Sequence, residues 1–405
     1  MLARILFIMM LLPLAAYAGD GEKTDPSTGL KADPSTELKA EKKYTGVMKG
    51  VMWLKTTLDS MAVANVDRSY IEQPKHGLAV EVRTEANENM LKMESSFPYQ
   101  DGSVGQMTLK TSSGFTTSLG AWIGYRGYGI GWSKNLTGGG STFSFGATGG
   151  SFGVNLRINN YHSDVPELTL SYSNTEKPYN EKGKVDLDDP IHVRSLFIDG
   201  YYMFNGKHFS YAAAYDQSLI QRRSAGSLMA GAMYFHSSVS YDDNSNWPLV
   251  AFMKGMGKFK FTQACVGLGY AYNWVPARGW LVSVQAMPML QFYNKISAYM
   301  YNFYYEGQDI TKDMVVDFSA YEEAAEVNEE KYMEEYQKVT MQESRVQKTN
   351  NRIGWNFDAR LAVIHNWDRF YVRAYGHYNR FRYSNDMGKG RLAEWRAYAA
   401  VGYRF

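Results

Sequence analysis

The last eleven residues, Trp395-Arg-Ala-Tyr-Ala-Ala-Val-Gly-Tyr-Arg-Phe405, decide the architecture. Trp395, Ala397, Ala399, Val401, Tyr403 and Phe405 alternate with Arg396, Tyr398, Ala400, Gly402 and Arg404. Successive side chains of an extended strand point to opposite faces, so one face here is apolar and aromatic while the other carries two arginines. The same period of two runs through Ile353, Trp355, Phe357, Ala359, Leu361 and Val363 against Asn356, Asp358 and Arg360. It recurs in Phe370, Val372, Ala374 and Tyr378 against Tyr371, Arg373, Tyr375 and His377, and in the stretches 152–159 and 263–273.

These segments exceed the five or six residues usual for soluble sheets. A sandwich turns its apolar face inward, whereas a membrane barrel turns it to lipid and lines its interior with polar groups. Strands cross hydrocarbon only as closed barrels, because an open edge strands unpaired backbone groups there. The expected fold is therefore all-β, a closed antiparallel transmembrane β-barrel. Trp122, Trp132, Trp274, Trp280, Trp355 and Trp367 are expected to form its aromatic girdles. Tight turns are read at Gly149-Gly150, Asn205-Gly206, Pro276-Ala277-Arg278 and Asn366-Trp367-Asp368, and longer connections near 163–191, 239–260 and 295–350. Segments near 76, 90, 115, 127, 142, 152, 193, 207, 227, 262, 280, 352, 369 and 395 give about fourteen strands, within about 12 to 16.

Composition agrees. The 405 residues are 45% apolar and 15% aromatic but only 21% charged, with 37 glycines and 31 tyrosines, which argues against disorder and coiled coils. A net charge of +2 gives no polyanion-binding signature, so nucleic acid is not an expected partner. One cysteine excludes an intramolecular disulfide framework and a cysteine-cluster metal site. Arg4, the apolar run Ile5 to Leu14, and Ala16-Tyr17-Ala18 read as a secretory signal peptide over residues 1–18. No later stretch approaches the roughly 18 apolar residues of a membrane helix. Residues 19–43 read as a polar linker, in which Asp25 to Ala32 is echoed by Asp33 to Ala40. A short helix and lead-in follow over 44–74, with Val47, Val51, Leu54, Leu58 and Met61 at helical spacing. The barrel is expected over 75–405.

Residues 306–345 form an acidic insert, twelve acidic residues against four basic. Glu322, Glu323, Glu326, Glu329, Glu330, Glu334 and Glu335 are its centre, and Tyr321, Ala325, Tyr332, Tyr336 and Val339 recur at helical spacing, so a short helical loop is expected. It could be a solvated loop, a divalent-cation site near lipopolysaccharide, a partner surface, or a lid folded towards the mouth. The insert carries −8, leaving the rest of the chain at +10. Strand parity turns part of that surplus inward: Arg157, Arg360, Arg373, Arg396 and Arg404, with Asp199, Asp358 and His377 as counter-partners. Such an interior is either a basic channel wall or a filled, ion-paired core.

No catalytic constellation emerges. His162-Ser163-Asp164 and His236-Ser237-Ser238 carry triad residue types, but neighbours on a strand cannot converge. No metal-ligand spacing or nucleophile elbow is present, and no cofactor is expected. The glycines of Gly127-Tyr-Gly-Ile-Gly131 read as barrel wall rather than a phosphate loop.

Several segments carry a resemblance: Asp67-Arg-Ser-Tyr-Ile71, Gly124-Tyr-Arg-Gly-Tyr-Gly-Ile-Gly-Trp-Ser-Lys-Asn-Leu136, Asn205-Gly-Lys-His-Phe-Ser-Tyr211, Gln221-Arg-Arg-Ser-Ala-Gly-Ser227 and Val401 to Phe405. Together they resemble an uncharacterised outer-membrane β-barrel family of Bacteroides-type bacteria, domain of unknown function family 4421, over about residues 65–405. The terminal Tyr403-Arg404-Phe405 also resembles the signal that such barrels present to the barrel assembly machinery. The resemblance implies an outer-membrane location and a fold, and no catalytic residues. The expected function is a porin-like channel, a binder of small polar solutes or a structural envelope protein in contact with outer-membrane lipid and lipopolysaccharide. The alternatives are an enzyme acting on lipid or peptide and a scaffold displaying the acidic loop.

Overall fold

The computed structural model describes residues 66–98, 104–112, 116–136, 139–163, 167–173, 179–184, 187–311, 337–350, 353–385 and 388–405. The expected signal peptide, linker, short helix and the centre of the acidic insert lie outside these residues.

The strands are β1 (Ile71–Glu72), β2 (Leu78–Pro98), β3 (Val104–Ser112), β4 (Thr116–Tyr125), β5 (Tyr128–Asn135), β6 (Gly140–Thr148), β7 (Phe152–Ser163), β8 (Glu167–Ser173), β9 (Tyr179–Lys184) and β10 (Ile191–Met203). After them come β11 (Ile220–Gln221), β12 (Ala225–Ser240), β13 (Met256–Trp274), β14 (Trp280–Tyr305), β15 (Gln308–Asp309), β16 (Val339–Asn350), β17 (Gly354–Asn366), β18 (Phe370–Asn385) and β19 (Gly388–Arg404). Two short helices, α1 (Tyr211–Tyr215) and α2 (Trp247–Phe252), lie in connections. No helix among the described residues is long and apolar enough to cross a membrane.

Twelve strands close a ring: β2, β4, β5, β6, β7, β10, β12, β13, β14, β17, β18 and β19, each antiparallel to its neighbours. The pairing most remote in sequence, β19 with β2 (Arg404 opposite Ala79), completes it, and β14 with β17 (Trp280 opposite His365) and β7 with β10 (Asn155 opposite Asp199) span the longer connections. The remaining longer strands extend the wall at one end, β3 with β8 and β9, and β16 beside the far half of β14. The ring falls within the expected range but below fourteen for two reasons. The segments near 76 and 90 are not two strands, since β2 alone covers Leu78–Pro98. The segment near 207 is no strand, and Asn205-Gly206 is no hairpin turn; it opens a long connection containing α1. Val339 also leaves the expected acidic helix and begins β16.

The turns at 126–127, 149–151, 275–279 and 367–369 lie at one end, and Glu306 (φ 46°) and Gly307 (φ 85°) turn β14 into β15 at the other. Arg126 (φ 50°) and Gly127 (φ 96°) make the two-residue turn between β4 and β5, a left-handed pair whose twist matches the flanking strands. Alternation holds as read from the sequence: Val401, Leu361, Val372 and Leu268 are exposed, while Arg404, Arg360, Arg373 and Cys265 are buried. Trp132, Trp274, Trp280, Trp355 and Trp367 are on the outside. Trp122 is not: it is buried inside, beneath the Arg83 guanidinium at 4.9 Å. A Cβ on Gly129 or Gly131 would stand 2.5 Å or 2.7 Å from its ring, so these glycines clear the space that the indole fills.

Candidate functional site: a filled, ion-paired interior

The connection between β10 and β12 does not turn back at the barrel rim. Asn205 accepts backbone hydrogen bonds from His208 and Phe209 on its carbonyl, and its side chain donates to the Gly226 carbonyl (2.8 Å). The chain then enters the barrel as α1. Tyr-Ala-Ala-Ala-Tyr is a strong helix former, and Ser210 caps it by accepting from the Ala213 amide (3.1 Å). Tyr211 and the three alanines are buried, the small side chains letting the helix sit close to the wall. Ile220 and Gln221 pair with Ile71 and Glu72 of the lead-in, which therefore belongs to the same plug. Gln221 holds both halves: its amide donates to the His208 carbonyl (2.6 Å) while its oxygen accepts from the Ser210 amide (2.9 Å). From the wall, Asn273 donates to Gln221 and to the Ser210 carbonyl, each at 3.0 Å.

Three of the segments that carried the resemblance meet here. The Asp67 amide donates to the Lys207 carbonyl (2.9 Å), the Tyr70 and His208 rings meet at a tilt of 52° with centroids 4.4 Å apart, and the Arg222 amide donates to the Tyr70 carbonyl (2.7 Å). These stretches are separate in sequence, and folding gathers them into one structure.

Above α1 the interior is a network of charges. Arg360 contacts Asp199 (2.8 Å) and Asp358 (3.5 Å) and donates to the hydroxyls of Tyr201 and Tyr211, the latter at 2.8 Å. Asp358 in turn pairs with His377 (2.6 Å), and Asn155 donates to Asp199 (2.7 Å). Arg373 meets Glu81 (2.6 Å), which also accepts from Tyr371 (2.7 Å), and donates to the Tyr215 carbonyl of α1. Arg396 pairs with Glu85, and Arg157 with Glu394 (2.8 Å). Arg404 donates to the Gln217 carbonyl (3.1 Å) and to Asn366 (2.7 Å) while lying over the Tyr371 ring.

All eight residues singled out by parity are thus buried, and each has a partner. What parity analysis missed are the partners, Glu81, Arg83, Glu85 and Glu394, together with the whole plug. Glu81, Arg83 and Glu85 are the polar half of Leu78 to Ala86, where the period of two is legible in the sequence. With them, five buried carboxylates face six buried arginines among the described residues, so the wall is charge-compensated rather than basic.

The far end is closed by hydrophobic side chains. The loop between β12 and β13 turns inward, and Trp247, Leu249, Val250 and Met253 of α2 and its C-terminus pack against Phe259, Phe261, Ile296, Phe303 and Met341 of the wall. Between the stoppers lies a layer rich in Met and aromatic residues, including Met229, Met233, Met287, Met289 and Phe197, where Cys265 contacts the Asn356 amide at 2.9 Å.

Of the triad-type residues, Asp164 lies outside the described residues, and the described histidines have other partners. His236 faces outward beside Thr262 (2.9 Å) while Ser237 is buried on the other face, and His162 meets its cross-strand partner His192 at 2.7 Å. Among the described residues no three His, Cys, Asp or Glu side chains are placed to hold a metal ion.

In comparisons with solved structures, the chain is similar to the outer membrane protease OmpT of Escherichia coli, at 8% identity and a TM-score of 0.34, over 82% of this chain and 97% of that one. It is also similar to the translocator domain of the autotransporter NalP of Neisseria meningitidis (10% identity, TM-score 0.29, 89% and 97% covered). OprG of Pseudomonas aeruginosa is a third (9% identity, TM-score 0.23, 82% and 97% covered). No curated protein matches. A family model does match, over residues 65–405, and the chain belongs to the family described as Domain of unknown function (DUF4421).

Proposed function

We propose that the protein is an integral outer-membrane β-barrel held closed, a membrane-embedded structural or solute-binding protein rather than an open diffusion channel. Its outer wall supports the membrane reading. Trp274 and Trp280 ring the short-turn end, and Phe292 and Tyr293, 59% and 43% exposed, stand further up the wall. Tyr293 is opposite Ala264, and from Ala264 to Trp274 a strand rises about 33 Å, or about 25 Å along the axis at a tilt of about 40°. That equals the apolar band of outer-membrane barrels. Val266, Leu268, Tyr270 and Tyr272 fill the interval. The resemblance to Bacteroides-type outer-membrane barrels and the signal-peptide reading of residues 1–18 agree with export to a Gram-negative outer membrane.

The single observation that carries the closed state is Arg360. Placed mid-wall, it donates from Nη1 and Nη2 to Asp199, Tyr201 and Tyr211, the last of which belongs to the plug, while its Nε stands 3.5 Å from Asp358. A cation so paired offers no site to a passing anion. Among the described residues the buried His377, Asp199 and Asp358 are engaged in the ion-pair network, and we propose a non-enzymatic role. In planar bilayers the folded wild-type protein gives no stepwise openings, whereas replacing both stoppers, residues 207–221 and the α2 loop 243–254, by short Gly/Ser linkers produces them. Steady porin-like conductance of the wild type, with folding verified by heat-modifiable mobility, would overturn the closed reading.

A further inference from the structure

The strand register places a ladder of cations on the outside of the barrel just beyond the upper aromatic girdle. Arg194 of β10 is opposite Ser238 of β12, Ser238 is opposite Lys260 of β13, Lys260 is opposite Ser297 of β14, and Ser297 is opposite Lys348 of β16. One row therefore reads Arg, Ser, Lys, Ser, Lys across five adjacent strands. Their neighbours Val193, Phe259, Phe261, Ile296 and Ala298 are buried, so the row itself faces outward, and Arg194 and Lys348 are exposed. With strands about 4.8 Å apart, the cations recur about every 10 Å with a hydroxyl between each pair. Lys260 is steadied over the Tyr299 ring at 4.8 Å, and Lys295 adds a fourth cation one row nearer the girdle. The nearby carboxylate of Asp242 reaches Lys258 at 3.9 Å and is itself engaged by Tyr301.

We infer that this ladder binds the phosphate groups of a phosphorylated glycolipid in the outer leaflet, an inference that rests on the membrane reading above. Position selects the ligand. The row lies four residues beyond Ala264 and its partner Tyr293, about 10 Å further along the axis, which is headgroup depth when that girdle marks the hydrocarbon boundary. A soluble polyanion would meet cations on loop tips, whereas these stand on the wall, continuous with the lipid-facing band. Cations about 10 Å apart with intervening hydroxyl donors suit a headgroup carrying more than one phosphate, each held by charge-assisted hydrogen bonds.

The test uses the full mature chain in phosphatidylcholine vesicles doped with either a diphosphorylated glycolipid or its phosphate-free form, with retained lipid counted by native mass spectrometry. The wild type should retain the diphosphorylated lipid selectively. The triple variant Arg194→Gln, Lys260→Gln, Lys348→Gln should bind it about 100-fold more weakly, about fivefold for each cation near the surface. Should the triple variant fail to show the heat-modifiable shift of a folded barrel, Lys348→Gln alone is read for its own fivefold loss. Equal retention of both lipids by the wild type, or unchanged affinity in a folded variant, overturns the inference while leaving the barrel reading intact. A wild-type chain that does not enter phosphatidylcholine vesicles at all instead overturns the membrane reading.

Discussion

Arg360 sits where removal of a single group exposes the cost of a buried charge. Arg360→Leu leaves Asp199 and Asp358 facing each other without a guanidinium, which should destabilise the barrel by about 3–5 kcal/mol, measured as a lowered urea midpoint. The glycines around Trp122 make a second case. A Cβ on Gly131 meets the Trp122 ring at 2.7 Å and otherwise the Ser144 hydroxyl and the Arg83 guanidinium, all side-chain atoms. Gly131→Ala should therefore cost about 1–3 kcal/mol in the wild type and much less in a Trp122→Ala background, in which the ring is gone. Additive costs in that double-mutant cycle would show that the glycine serves the backbone instead. Residue-level reading of the sequence found the glycines as wall but sent Trp122 outward. The local signal is parity: Leu119 and Ile123 of the same strand are exposed, which commits Trp122 between them to the opposite face.

At the scale of elements, the plug has its own titration. Asp216 follows α1 in the connection, where one carboxylate oxygen accepts from the Ser218 amide (2.7 Å) and the other is buried without a hydrogen bond. Burial pushes its carboxyl up to about 6, against the pull of the Ser218 hydrogen bonds and the nearby Arg373 guanidinium. A raised carboxyl favours the protonated form in the folded plug. Its contribution is fully present below the unfolded value of about 4 and is lost as pH rises through about 6. Hydrogen-exchange protection of the Tyr211 to Gln217 amides, corrected for intrinsic exchange, should fall between about pH 5 and pH 7. Asp216→Asn should flatten that slope; an unchanged slope would mean that Asp216 does not govern the plug. The plug itself was illegible in sequence, because Asn-Gly at 205–206 carries the signature of a hairpin turn. Only the buried partners of Tyr211 and Gln221, on strands far off in sequence, make the inward path the more stable one.

For the whole molecule, closure depends on the last strand. The Phe405 amide donates to the Leu78 carbonyl (2.8 Å), joining the end of β19 to the start of β2, while its ring stays 59% exposed beside Tyr403 with centroids 4.7 Å apart. A side chain so exposed contributes little to the core, so removing it should leave the folded barrel's urea midpoint nearly unchanged yet reduce the amount reaching the outer membrane. Unchanged outer-membrane levels in the Phe405 deletion would remove the assembly-signal reading. What the sequence determined by itself is the class of fold and its inside and outside, because a period of two commits every side chain of a long strand to one face without reference to any other strand. Tertiary structure decided the rest: that twelve strands close, that Glu81, Glu85 and Glu394 compensate the inward arginines, and that α1 and α2 fill the space between. Those outcomes depend on register between strands remote in the chain, and a cation's partner across a barrel is set by that register rather than by its sequence neighbours.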